Sequence, residues 1–375
     1  MKVHVILFIS FLGIIISCTQ KSDLHSSIDV VNIGQQMENP SEVPIRDLAK
    51  SVEIVQLETN DSLLIRDIYN LHLFDNNLLI DGRLFDRFGK FLNQVYRIGE
   101  GPGEVTKGAN VIKVKDNKIY VLDFAGKVNV YSPDGKCLET IKSPANFYFE
   151  FQPLDNGNFV GFKSNFKGDE KICLEFFDKN GLQATVPYTE QYTSEASWFA
   201  PGEGKFFDHN GKLLLKKLLC DTIYQVDTKK HLLVPAYHID FGKWPSKEIL
   251  RYSYKSIEEL QNRLFTEMPF VSFLGEGSDY LVFTVTFTDM VKQQMMHSTN
   301  FYNFQNKSTR SVMLTLSDED LKILGEDGDP LPDYMKGISN NYFFPQVMSD
   351  DGNSLISWRQ QTNDQNPAVI IATLK

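Results

Sequence analysis

Residues 110–141, NVIKVKDNKIYVLDFAGKVNVYSPDGKCLETI, decide the fold. They divide into four short β-rich runs: Asn110 to Val114, Lys118 to Asp123, Lys127 to Tyr131 and Cys137 to Ile141. Val121, Val128 and Val130 supply the branched side chains that suit a pleated, half-buried surface. Asp116-Asn117 separates the first two runs, and Ser132-Pro133-Asp134-Gly135-Lys136 separates the last two. Asx and Gly tolerate the left-handed backbone that a tight hairpin requires.

The unit repeats outward from this stretch. Phe85-Asp86-Arg87-Phe88-Gly89-Lys90 aligns with Tyr131 to Lys136 and with Phe177-Asp178-Lys179-Asn180-Gly181, placing glycines evenly at 89, 135 and 181. Tyr224 to Thr228 and Phe301 to Asn306 are further copies without the glycine. A second turn class recurs beside the first: Asp75-Asn76-Asn77, Asp116-Asn117, Asp155-Asn156-Gly157, Asp208 to Gly211, Gly275 to Asp279 and Asp350 to Asn353. Four short strands at a fixed period predict an all-β, six-bladed β-propeller. The last unit ends one strand short after Tyr342 to Val347, Ser354 to Gln360 and Ala368 to Leu374. Val52 to Glu58 alternates and has no partner of its own, so it is expected to close the ring as the outer strand of that blade.

The N-terminus is a targeting segment. Lys2 gives a positive start, Val3 to Ile16 is almost wholly apolar, and Ile15-Ile16-Ser17-Cys18 has the form of a bacterial lipobox. The domain reading is therefore a lipoprotein signal peptide at 1–17, a tether at 18–48 and a six-bladed propeller at 49–375. The apolar run is shorter than the ~20 residues a membrane span needs. The formal net charge is −10, and loss of Lys2 with the leader makes the mature chain one unit more acidic. An acidic chain without a basic stripe excludes nucleic acid as the expected partner and leaves attachment to the membrane to the lipid. Beyond Cys18, cysteines occur at 137, 173 and 220 without paired spacing, which argues for buried thiols rather than a disulfide scaffold.

Two insertions interrupt the period. Trp244 to Phe265 carries Ser256-Ile257-Glu258-Glu259, with Ile257, Leu260 and Leu264 at helical spacing. Ser317 to Asn340 is acidic and opens on a second capping box, Ser317 to Asp320. Both are expected on the propeller rim.

Ile98-Gly99-Glu100-Gly101-Pro102-Gly103-Glu104 lies close behind the Phe-Asp-x-x-Gly-Lys-Phe turn. With Asp221-Thr222-Ile223-Tyr224 and Pro235 to Gly242, it resembles the six-bladed β-propeller lipoproteins of Bacteroidetes, which are related to NHL-repeat propellers. The resemblance spans roughly residues 50–375. It implies the fold and a cell-envelope location, and it implies no defined activity; with the lipobox, the expected place is the periplasmic or surface side of the outer membrane.

No catalytic signature stands out. The glycines of 99–104 lack a Gly-Lys-Ser/Thr ending and read as a tight crossover between blades. The mature histidines, at 25, 72, 209, 231, 238 and 297, fall at unequal points of the repeat, which disfavours a zinc centre on the propeller axis, and no metal or cofactor is expected. Asp318, Glu319, Asp320, Glu326, Asp327, Asp329 and Asp333 lack the order of a calcium loop and read as a solvated face. Trp198, Trp244 and Trp358 could stack on sugars, but packing anchors are the expected role.

Topology singles out one end of the channel. Loops between the second and third strands of each blade share a face with the blade-to-blade crossovers. Asp81, Arg83, Arg97, Glu100, Glu104 and Asp123 are thus the candidate ligand face. The leading expectation is a non-enzymatic binding module for a glycan, peptide or partner protein. The alternatives are a hydrolase or lyase using carboxylates such as Asp81, Asp123 or Glu104, and a structural subunit of an envelope assembly.

Lipidation at Cys18 is directly testable. Cys18→Ser should abolish acylation and release the protein from the membrane fraction. Full sedimentation of the substituted protein with membranes would place the anchor elsewhere.

Overall fold

Connections within each repeat unit are short enough that successive strands can pair only antiparallel. A computed structural model describes residues 28–375 except 62, 190, 194–198, 200–201, 210, 245–247, 257, 260–268, 290–293, 326–340 and 361–363. Six four-stranded antiparallel blades form a ring. In the second blade the strands are Ala109–Lys115, Lys118–Asp123, Lys127–Tyr131 and Cys137–Lys142, the runs read from the sequence. The left-handed residues of its first hairpin are Asp116 and Asn117, as Asn76 and Asn156 are in the blades on either side.

Burial alternates along the strands, because each blade has two faces and each face meets a neighbour. Leu78 and Ile80 pack toward the sixth blade, beside Ile356 and Ile371. Leu79, between them, packs toward the second, beside Ile119 and Val121. Leu122 then turns the other way, into the layer holding Phe151 and Phe177 of the third blade. The core is therefore distributed as layers between blades.

The ring closes as the sequence implies. Strand β3 (Ala49–Gln56) pairs antiparallel with Ala368–Leu374, from Gln56 opposite Ala368 to Ala49 opposite Leu374. The inner strand of this blade is shorter than expected. Tyr342 makes a single bridge to Thr315, and the strand itself is only Val347–Met348. Gly89 of the first blade lies against the end of β3. A Cβ there would meet the Gln56 carbonyl oxygen at 2.1 Å, which a left-handed glycine at φ +84° avoids.

The expected tether differs most. Residues 18–27, with Cys18 and the signal peptide, lie outside the described residues, but 29–48 are part of the fold. Strand β1 (Asp29–Asn32) adds parallel to Leu232–Asp240 of the fourth blade. Strand β2 (Ser41–Pro44) adds parallel to Thr309–Thr315 of the fifth. With β3 on the sixth, the N-terminal segment crosses the outer edges of three successive blades. Its hydrophobic residues explain the difference: Val31, Ile33, Met37, Val43 and Ile45 are buried. Polar composition and two prolines masked that spaced apolar set.

The insertions follow the same segment. Ser317 caps helix Asp318–Leu324 through a capping box with Asp320. Asp320, expected on a solvated face, is fully buried and ion-paired with Arg46. Burial raises its pKa, but the bonds from Arg46 and Ser317 outweigh that and hold it below the usual range. In the other insertion the Ser256 hydroxyl accepts from the Glu259 amide at 3.0 Å; Ile257, Leu260 and Leu264 lie outside the described residues. Trp244 packs on Phe287 and donates to Glu38 at 3.1 Å, so it anchors the N-terminal segment. Trp358 packs against the layer between the sixth and first blades; Trp198 is outside the described residues. Cys173 and Cys220 are buried free thiols, whereas Cys137 is half-buried.

The N-terminal segment should carry stability. A chain beginning at residue 28 should melt like the mature protein. A chain beginning at 49 loses five buried aliphatic side chains, each worth ~1.5–3 kcal/mol, and should melt well below it. A chain beginning at 57 loses the closing strand and should not unfold cooperatively. Equal melting temperatures for the starts at 28 and 49 would refute the structural role of β1 and β2.

Candidate functional site

The innermost strand of each blade has one edge without a strand partner, and these edges enclose the channel. A cavity of about 1500 Å³ lies there, lined by the inner strands of the first, second, third, fourth and sixth blades. Its polar groups fall into two levels.

At the hairpin end the charges are paired across blades. Lys115 of the second blade contacts Asp208 of the fourth at 3.0 Å and Asp155 of the third at 3.1 Å. His72 of the first blade reaches the Ile112 carbonyl of the second at 2.9 Å and Asp350 of the sixth at 3.3 Å. These contacts brace five blades around the axis. Lys113 pairs with Glu150 at 3.2 Å.

At the mouth, three arginines line the cavity without a hydrogen bond or ion pair among the described residues: Arg66, Arg83 and Arg97. They come from the first blade and the crossovers on either side of it. Phe124, Phe147, Phe149 and Phe199 line the cavity from the second and third blades and the crossover into the fourth. The rings form a chain. Phe124 stacks on Phe147, Phe147 meets Phe149 edge-on at 4.9 Å, and Phe149 meets Phe199 and Phe166. Phe199 is 65% exposed, Tyr69 80% and Ile98 72%, and all three border the cavity. These exposed apolar groups gather around one opening.

Lys205 is the second residue of the inner strand of the fourth blade (Gly204–His209), six positions beyond Phe199. Its amine makes no hydrogen bond or ion pair among the described residues. Burial and the neighbouring positive charge of Lys113 lower its pKa to about 8, against the opposing pull of Glu150 and Asp350. Beside it, Glu203 forms a buried bidentate pair with Arg251 at 2.6 and 2.9 Å and accepts from Ser164 at 2.5 Å. That pair fastens the 248–253 segment to the channel rim.

The residues expected from sequence divide. Asp81, Arg83 and Arg97 line the mouth together, while Glu100, Glu104 and Asp123 do not line the cavity. Asp81 accepts from the amides of Tyr69 and Asn70 at 3.1 and 2.8 Å. Asp123 is 1% exposed and accepts from the amides of Thr106, Ala125 and Lys127. Glu104 accepts from the Gly101 amide at 2.8 Å, folding the 99–104 crossover on itself. The three carboxylates considered for acid–base chemistry are thus backbone acceptors that shape loops. Tyr96 is laid over Gly82, where a Cβ would come within 2.1 Å of its ring, and this fixes the turn that presents Arg83.

Sequence reading missed Lys205, Lys113, Glu150, Arg66 and the phenylalanine wall. One signal was available: Lys113 and Lys115 sit within an innermost strand, where a charge must face the channel or a partner. Phe124 lies in a loop within the second blade, Phe147 and Phe149 in the crossover to the third and Phe199 in the crossover to the fourth, so no single local pattern joins them.

Over residues 28–373 the sequence matches a domain of unknown function, DUF4934. The chain belongs to this family. The DUF4934 fold is similar to that of a Bacteroides fragilis crystal structure of a protein assigned as exported. The two share 16% identity at a TM-score of 0.65, over 93% of this chain and all of that one. Weaker likeness extends to the WD40 β-propeller domain of Doa1, with 10% identity over 88% and 97% of the chains and a TM-score of 0.39. No curated protein matches the sequence.

The lysine makes a pH prediction for this DUF4934 chain. Lys205 has a folded pKa of about 8 against an ordinary 10.5, so the native state binds its proton less well than the unfolded one. The resulting penalty is fully present below pH 8 and fades as pH rises toward 10.5. Lys205→Met should therefore be more stable than the parent at neutral pH, with an advantage that shrinks between pH 8 and 10. A constant difference across that range, in denaturant titrations at each pH, would show that the amine is not desolvated.

Proposed function

We propose that this protein is a non-enzymatic binding module of the cell envelope, exported, held to the membrane by a lipid on Cys18, and taking its ligand into the central channel. The ligand enters at the mouth carrying Asp81, Arg83 and Arg97. One observation carries this reading: the charges at the hairpin end are paired between blades, while three arginines at the mouth have no hydrogen bond or ion pair among the described residues and Phe199 stands largely exposed beside them. A scaffold pairs its charges where stability requires it. Unpaired arginines and exposed phenylalanines around a preformed cavity have a use only when something occupies it. The Bacteroides neighbour assigned as exported, the lipobox-like run before Cys18 and the resemblance to envelope propellers support the location.

The hydrolase or lyase alternative is the less favoured reading. Paired carboxylates with separated pKa values are needed for such chemistry, and Asp81, Asp123 and Glu104 each hold a backbone turn.

The test is capture from envelope extract on the immobilised mature protein. Arg83→Ala and Arg97→Ala should each weaken binding of the captured ligand by more than ~1 kcal/mol, the order of a lost charged hydrogen bond. Substitution of Asn76 or Asn156, on the hairpin face, should leave affinity unchanged. The opposite pattern would put the ligand at the other end of the channel.

A further inference from the structure

Besides the three arginines of the mouth, the cavity is lined by one more cation without a hydrogen bond or ion pair among the described residues. Lys113 is matched by Glu150, and Lys115 by Asp208 and Asp155. His72 sits on Asp350. Lys205 remains, facing the cavity, without a hydrogen bond or ion pair among the described residues. Lys205 is half-buried, and a partly desolvated cation without a partner gains from an arriving anion. The phenylalanine wall leads to the same place, because Phe199 precedes Lys205 on one crossover and Phe149 precedes Glu150 at the start of the adjacent inner strand.

Building on the reading of the channel as a binding site, we propose that Lys205 is the anchor for the carboxylate of a monoanionic ligand whose apolar, ring-bearing body lies on Phe147, Phe149 and Phe199. Three features select this class. First, Lys205 adds one unpaired positive charge beyond the arginines of the mouth, and one carboxylate matches it. A dianion would leave excess negative charge beside Glu150 and Asp350, the carboxylates whose fields reach the amine. Second, phenylalanine rings carry no donor or acceptor. They pair with ring edges and hydrocarbon but leave sugar hydroxyls without partners, so the wall favours an apolar body over a glycan. Third, the arginines at the mouth draw a negatively charged ligand toward the cavity that Lys205 faces.

Protonation follows from the same geometry. With the channel empty, burial and Lys113 together make the amine release its proton near pH 8. A carboxylate arriving beside it adds an attractive charge and restores the proton. Binding above pH 8 should thus take up a proton from solution.

Matched probes test the idea on the full mature chain in detergent: 4-(1-pyrenyl)butyrate, the corresponding butanol, and its phosphate monoester. The acid should bind about tenfold or more tightly than the alcohol, as one charged contact predicts. Lys205→Gln should erase that preference while leaving the alcohol's affinity unchanged. Lys205→Arg should keep the preference but abolish the proton uptake, measured by calorimetry in two buffers of different ionisation heat. Cooperative melting of both variants shows that they are folded. If acid and alcohol bind the parent equally, or Lys205→Gln keeps the preference, the carboxylate anchor is refuted while the channel stands as a binding site. Tighter binding of the phosphate monoester refutes the monoanion. Failure of all three probes to bind the parent refutes the apolar, ring-bearing class, while capture of a different ligand at the mouth would leave the binding module intact.

Discussion

Everything in this structure depends on the pairing of β3 with Ala368–Leu374. A propeller blade is a small twisted sheet with two apolar faces, and only a closed ring gives every face a neighbour. Opening the ring would expose the layer between the sixth and first blades, where Ile356, Val369 and Ile371 meet Leu78, Ile80 and Phe85. The seam is reinforced by a buried polar residue. Asn366 accepts from the Ile65 amide at 2.6 Å and donates to the carbonyls of Glu58 and Leu63, tying the chain that leaves β3 to the loop that enters the last strand. A half-satisfied amide would weaken the seam, whereas this one fixes its register.

The same logic of covered edges explains the N-terminal segment. After closure the outer strands of the fourth and fifth blades still present free backbone groups. Strands β1 and β2 occupy them, and the Arg46–Asp320 and Trp244–Glu38 contacts draw in both insertions. Closure is therefore a feature of the first thirty described residues rather than of one strand.

Polar residues in the ring serve two different ends. Asp81 and Asp123 occupy equivalent places in the first two blades, and both use their carboxylates to gather backbone amides. Lys115 and His72 tie distant blades at the hairpin end. Against that background the mouth differs in kind. Arg66, Arg83, Arg97 and Lys205 have no hydrogen bond or ion pair among the described residues, and they share the cavity lining with the largely exposed ring of Phe199. Rigidity at one end of the channel and unmatched chemistry at the other belong together, since a preformed cavity loses little ordering entropy when it is filled.

The sequence by itself determined the blades. Alternation, Asx/Gly hairpins and the evenly spaced glycines at 89, 135 and 181 are local properties, and local backbone preference acts over the few residues that a pattern can show. It also located Val52 to Glu58 as the closing strand, because an orphan strand and an incomplete blade imply each other. Tertiary structure decided the rest. Whether Asp123 faces a ligand or three amides depends on the crossover beside it. Whether residues 29–48 tether or pack depends on edges supplied some two hundred residues later. Whether Lys205 is paired depends on Lys113, Glu150 and Asp350, each from a different blade. A charge takes its meaning from what surrounds it in space, and in a ring of radial sheets the surroundings of the channel are drawn from every part of the chain.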